Sequence, residues 1–191
     1  MATDDSIEQK LSWKPKKGGG ANFKTAQLIQ DHKGLHIRNS IGLKIFGSVF
    51  IFVGAGIFLG SLFGLLGEGI SIFLLLFGVI FFVAGIYTVR GRKPLHIDKG
   101  IGVYYYGHQY DYKKKYPREH QGELTDIQGI QFLEEYCESS DPDSSSYWSY
   151  EINFVFEDAS RLNILDHGNH EAAWSDAETI AKYLNVPLWS Q

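Results

Sequence analysis

The densest set of chemically able groups lies at 166–171, where Asp166, His167, Asn169, His170 and Glu171 crowd around Gly168. His167 and His170 could reach one metal ion, with Asp166 or Glu171 as a third ligand. A zinc site of that kind is normally announced by His-x-x-x-His on one helix face or by a cysteine pair. Neither is present, and Cys137 is the only cysteine. The spacing therefore predicts a turn, in which Gly168 permits the reversal and the polar side chains bond the free amides of a helix start. No Gly-x-Ser-x-Gly, phosphate loop or dinucleotide fingerprint occurs, and the glycines at 18–20 neither follow a strand nor open a helix. The chain is expected to be non-enzymatic and to need no cofactor.

A second concentration lies at 107–122, where Lys113, Lys114, Lys115 and Arg118 are interleaved with Tyr110, Tyr112 and Tyr116. Cations beside tyrosines suit a loop that meets anionic lipid headgroups, and equally a solvated hairpin loop. The acidic, serine-rich stretch at 138–146 lacks the spacing of a calcium-binding EF-hand loop and reads as a surface loop. A net charge of −4 gives no basic face for nucleic acid. One cysteine allows no intrachain disulfide, which fits a reducing compartment.

The elements that must position these groups follow from a sharp division in composition. The mean hydropathy of −0.15 resembles that of a soluble chain. It averages an almost charge-free stretch at 45–89 with polar flanks that hold all 18 lysines and arginines. Residues 45–66 and 70–89 are each long enough, at about 1.5 Å per residue, to cross a hydrocarbon core of roughly 30 Å. Gly67, Glu68 and Gly69 supply the turn between them, so a transmembrane helical hairpin is expected over 44–90. Lys33, Arg38 and Lys44 precede the first span, and Arg90, Arg92, Lys93 and Lys99 follow the second. Basic residues resist translocation, which places both termini on the cytoplasmic side of a bacterial inner membrane or its organellar equivalent.

Small residues mark two faces in the spans. Gly47, Gly54 and Ser61 recur every seven residues, as do Ser71, Gly78 and Gly85, the pattern of a left-handed antiparallel pair. Gly56, Gly60 and Gly64 recur every four and predict a separate helix-packing face, open to a second copy or a membrane-protein partner. Neither span holds an Asp, Glu, Lys, Arg or His, which argues against an ion path or a haem site.

Outside the spans the domain reading has three parts. Residues 1–21, rich in lysine and glycine, read as a flexible tail. Residues 22–43 read as a juxtamembrane β-hairpin around Asp31, His32, Lys33 and Gly34, packed on a later sheet. Residues 91–191 read as a cytoplasmic α+β domain with an antiparallel sheet. Its clearest strand alternates Tyr150, Ile152, Phe154 and Phe156 with Glu151, Asn153 and Val155, and is expected to be half-buried. A C-terminal amphipathic helix near 171–185 places Ala173, Ala177, Ile180, Ala181 and Leu184 on one face, with Asn169 or Ser175 as its cap. Trp189 is expected to tuck back into the core.

With Leu124-Thr125-Asp126-Ile127 entering a strand, the layout resembles membrane-anchored bacterial proteins with a pleckstrin-homology-like domain. It is more distantly similar to the photosystem-I assembly protein family. Gly20-Ala21-Asn22-Phe23, Ser149-Tyr150-Glu151, Asp166-His167-Gly168 and Val186-Pro187-Leu188-Trp189 resemble motifs of a group of uncharacterised bacterial membrane proteins. The resemblance implies a scaffold, adaptor or assembly role and brings no catalytic residue. The expected function is binding of a protein partner or lipid headgroups, with Lys113, Lys114, Lys115 and Arg118 contacting headgroups. The alternative is a small accessory subunit of a transport or pore complex, and a metal-dependent enzyme comes third.

Overall fold

The tripeptide Leu-His-Ile occurs twice, at 35–37 and 95–97, and the fold brings the two copies side by side. A computed structural model describes residues 7–16, 18–65, 71–91, 93–139 and 145–190. In it Leu35 pairs with Ile97, His36 with His96 and Ile37 with Leu95 across two antiparallel strands. Everything between those strands forms a unit of its own, so the chain divides into residues 1–38 with 94–191, and residues 39–93. The domain is thus discontinuous. The hairpin expected at 22–43 is not a separate element packed on the sheet but part of the sheet itself, because main-chain pairing with β3 satisfies the edge of β2.

The first sheet runs β1 (Ala26–Asp31), β2 (Gly34–Asn39), β3 (Leu95–Asp98), β4 (Val103–Tyr106) and β5 (Gln121–Glu123) in that order. Alternation sends Leu35, Ile37, Leu95, Ile97 and Tyr104 inward, all essentially inaccessible. The second sheet has the order β8 (Arg161–His167), β7 (Tyr147–Phe156), β6 (Ile127–Cys137) and β9 (Leu188–Ser190). Its pairs are antiparallel except β6 with β9, which are parallel. Helix α3 (His170–Leu184) covers one face of it through Ala173, Ala177, Ile180 and Ala181. Asn169 caps α3 by accepting from the amide of Ala172 at 2.9 Å, and Asn185, left-handed at φ 61°, ends it.

Strand β7 is not half-buried as its alternation suggests. Glu151, Asn153 and Val155 are as inaccessible as Ile152 and Phe154. The cause is the N-terminal segment, which is no free tail where it is described: Ile7 and Leu11 pack with Val155 and Trp189 on the face opposite α3. Trp189 is buried there, with Gly129 leaving room for its ring, and not beneath the helix.

The unit at 39–93 consists of α1 (Ile41–Leu62) and α2 (Ile72–Arg90), each long and apolar enough to cross a membrane. Helix α1 starts four residues before the apolar stretch because the Ser40 hydroxyl accepts from the Leu43 amide at 3.1 Å. It stops short of 66 because Gly64 adopts φ 68°. Ser71 caps α2 likewise. The seven-residue stripes face each other: a Cβ on Gly78 would lie 2.7 Å from the Phe58 amide nitrogen, and one on Gly85 2.7 Å from the Gly47 carbonyl oxygen. Ser61 donates to the Ser71 carbonyl at 3.1 Å, and Asn39 donates to the Val89 carbonyl at 3.3 Å, tying both ends. The four-residue run does not form one open face. Gly64 is exposed but lies beyond the helix, and Gly60 is buried, so within the helix Gly56 alone of the three is exposed, with nothing within 4 Å of a Cβ added there. The turn expected at Gly67, Glu68 and Gly69 and most of the acidic loop near 140–144 lie outside the described residues.

Candidate functional site

The outward face of the first sheet carries a polar ladder that alternation alone positions. His36 stands opposite His96, His96 opposite Tyr105, and Tyr105 opposite Gln121. The Nδ1 atoms of His36 and His96 are 2.7 Å apart, so one proton is held between them. His36 Nε2 meets Asp31 Oδ1 at 2.8 Å, and this bond, with the Lys33 amide, holds the Asp31 carboxyl at about 2. Burial, then the neighbouring His36, pushes His96 below the ordinary histidine range. The His96 ring stacks on Tyr105 at 4.9 Å, and a cleft of about 360 Å³ opens beside the pair, reached also by Lys33, Arg38 and His108.

The ladder passes into the loop at 107–122 through its last rung. Gln121 accepts from the Asp111 amide at 3.3 Å and donates to the carbonyls of Asp111 and Lys114 at 3.0 and 3.3 Å. Asp111 accepts from the Lys113 amide at 2.9 Å and from the Tyr116 hydroxyl at 3.2 Å. With its backbone clamped from within, the loop can be polar yet ordered. Tyr105, Tyr110 and Tyr112 continue edge to face at 6.1 and 4.8 Å. A second cavity of about 580 Å³ is bounded by Lys113, Lys114, Lys115, Tyr110 and Tyr116.

The expected headgroup contacts separate here. Lys113, Lys114 and Lys115 are exposed, and no ion pair to them is found among the described residues. Lys114 lies 5.2 Å from the Tyr116 ring centre. Arg118 is already engaged: it donates to Asp158 at 3.0 Å and to Ser160 at 3.3 Å, and its guanidinium lies 4.7 Å from the Phe156 ring centre. It anchors the loop to β7 and its turn, and is not a free cation.

The two histidines weighed as metal ligands face different surroundings. His170 is half exposed, meets Glu134 at 3.1 Å and stacks on Trp174 at 6.4 Å. His167 is fully buried and its Nδ1 accepts from the Asn169 amide at 3.1 Å, as a turn at a helix start requires. Among the described residues no group of three His, Cys, Asp or Glu side chains could hold an ion. The proton of neutral His167 must then sit on Nε2, which has no partner among the described residues.

Burial, and then Lys24, pushes His167 down to about 4. A histidine with a lowered folded pKa contributes fully above its unfolded value of about 6.5, and that stability is lost as pH falls towards about 4. Stability should therefore drop by up to ~3 kcal/mol across that window. Asp176, pushed up by burial, acts with the opposite sign. Urea midpoints at pH 7 and 4.5 should differ less for His167→Asn than for the parent chain; equal differences would refute the assignment.

No family model matches the chain, and no curated protein matches it.

Proposed function

We propose that the chain is a non-enzymatic inner-membrane protein whose α1–α2 hairpin spans the bilayer with both termini cytoplasmic. Its discontinuous domain, tethered to the hairpin through both β2 and β3, engages anionic lipid headgroups through the loop at 107–122. Support for the span comes from the outward surfaces of the helices, where Phe52, Phe73 and Ile72 are each more than 70 % exposed within this chain and would require lipid cover. The order of elements, antiparallel strands followed by α3, supports the pleckstrin-homology-like reading; β9 after that helix departs from it. A scaffold or assembly role fits such a domain.

The observation that carries the headgroup reading is the cavity beside Lys113, Lys114 and Lys115, with exposed lysine side chains over an internally clamped backbone and tyrosines at its wall. A lysine near an anionic surface contributes about 1 kcal/mol, so three contribute about 3 kcal/mol. The full chain in nanodiscs of pure phosphatidylcholine, and in nanodiscs with about a third anionic lipid, should differ in amide exchange at 107–122. Exchange should be slower with anionic lipid, and Lys113→Gln/Lys114→Gln/Lys115→Gln should abolish the difference. Equal exchange in both lipids would defeat the proposal.

A further inference from the structure

The face of the second sheet opposite α3 is covered by the chain's own N-terminal segment, and the manner of the covering is unusual for a permanent core. Among the described residues from Ser12 to Gly20, most hydrogen bonds run between its main chain and side chains of the sheet, while the Trp13 ring packs on the apolar cluster beside it. Gln131 donates to the Ser12 carbonyl at 3.0 Å, and Arg161 to the Lys14 carbonyl at 2.9 Å. Glu151 accepts from the Lys16 amide at 2.9 Å, and Glu135 from the Gly19 amide at 3.0 Å. The Tyr147 hydroxyl donates to the Gly20 carbonyl at 3.0 Å. Contacts of this kind recognise a peptide backbone and are indifferent to most of its side chains.

We propose that this face is a groove for a lysine-containing peptide segment of a partner protein, and that residues 7–16 and 18–20 are its resting occupant, displaced when the partner binds. Three observations carry this. The floor is polar: Gln131, Glu151 and Asn153 are buried but would be well solvated once uncovered, so opening the groove exposes little apolar surface there. Its apolar part is small, Val155 and Trp189 with Ala159 beside them, and takes Ile7 and Leu11, two side chains four residues apart, together with Trp13. Both amide hydrogens of Asn153 are used, by Gln131 at 3.1 Å and Glu151 at 2.6 Å, which fixes the orientation of the amide. Its Oδ1 is left buried with no partner among the described residues. The resident segment thus leaves an acceptor unmatched that a competing peptide N–H could fill.

The charges define the partner. Glu151 and Glu135 line the groove against Arg161, and the resident segment brings Lys14 and Lys16; the Lys16 ammonium bonds the Arg161 carbonyl. The matching ligand has two apolar side chains one helical turn apart and an aromatic one two residues on, followed by a basic stretch without acidic residues.

A fluorescein-labelled synthetic peptide with the sequence of residues 7–20, added to the full-length chain in detergent, tests the proposal by anisotropy. Ile7→Asp/Leu11→Asp, which weakens the resident anchors, should bind the peptide at least ~10-fold more tightly than the parent, a difference of about 1.4 kcal/mol. Adding Gln131→Ala and Glu151→Ala should remove that gain. In the parent chain, the amides of Lys16 and Gly19 should exchange at least ~10-fold faster than those of β6 and β7, the behaviour of a locally opening segment. No gain of binding by a folded Ile7→Asp/Leu11→Asp chain would overturn the proposal. So would exchange of Lys16 and Gly19 only with the sheet core, and this second measurement decides the matter alone if the variant fails to fold.

Discussion

Gly54→Leu will force α1 and α2 apart and lower the stability of the hairpin by ~3 kcal/mol or more, at the upper end of what overpacking costs. A Cβ at Gly54 would meet the backbone of Phe82 and Gly78, and one at Gly78 would meet Phe58 and Gly54. These neighbours are main chain on both sides, so no rotamer change can relieve the clash; the helices must separate. Separation would also break the Ser61 to Ser71 and Asn39 to Val89 bonds that close the two ends. Gly56→Leu is the matched control, since a Cβ there meets nothing within 4 Å and leucine favours a helix over glycine by under ~1 kcal/mol. Dodecyl sulfate titration, with distances between spin labels at exposed Phe52 and Ile80, would read both variants. Equal behaviour of the two would mean that the seven-residue stripes do not set the pairing.

Tyr104→Ala will cost ~3–5 kcal/mol and will loosen the loop at 107–122, whereas Tyr104→Phe will cost ~1–2 kcal/mol. The Tyr104 ring is fully buried on β4 and stands edge-on to Phe154 of β7 at 5.4 Å, so it joins the two sheets. Its hydroxyl donates to the Arg118 carbonyl at 3.0 Å and thereby also fixes the end of the lysine-bearing loop. Gly122, its cross-strand partner, has no room for a Cβ because the Tyr104 hydroxyl would lie 2.6 Å from it. The alanine variant loses the packing and the bond; the phenylalanine variant loses the bond alone. Urea unfolding of the full chain gives the energies, and amide exchange at 107–122 gives the loop. An alanine variant as stable as the phenylalanine one would show that the ring is not the joint between the sheets.

The lysine-bearing loop was legible because Lys113, Lys114 and Lys115 are contiguous and lie among tyrosines at fixed spacing. The histidine pair was legible only in part: the repeated Leu-His-Ile was there to be noticed, but 57 residues of intervening chain separate the two copies. The role of Arg118 could not be read locally, because its partners Asp158 and Ser160 arrive on the turn after β7.

The sequence by itself determined the elements whose signals are local. Apolar length specified two long helices, seven-residue glycine spacing specified the faces on which they meet, and Asn169 with the alanine stripe specified α3. These follow from transfer energy, helix period and capping, each of which acts within a few residues. Only the tertiary structure decided that the helix pair is an insertion between two paired strands, and that the described part of the lysine- and glycine-rich N-terminal segment lies against the sheet. It also decided that Glu151 and Asn153 are buried. Those outcomes depend on which distant segment covers which face and supplies partners for its polar groups, and the alternation along β7 reads the same whether its second face meets water or residues 7–20.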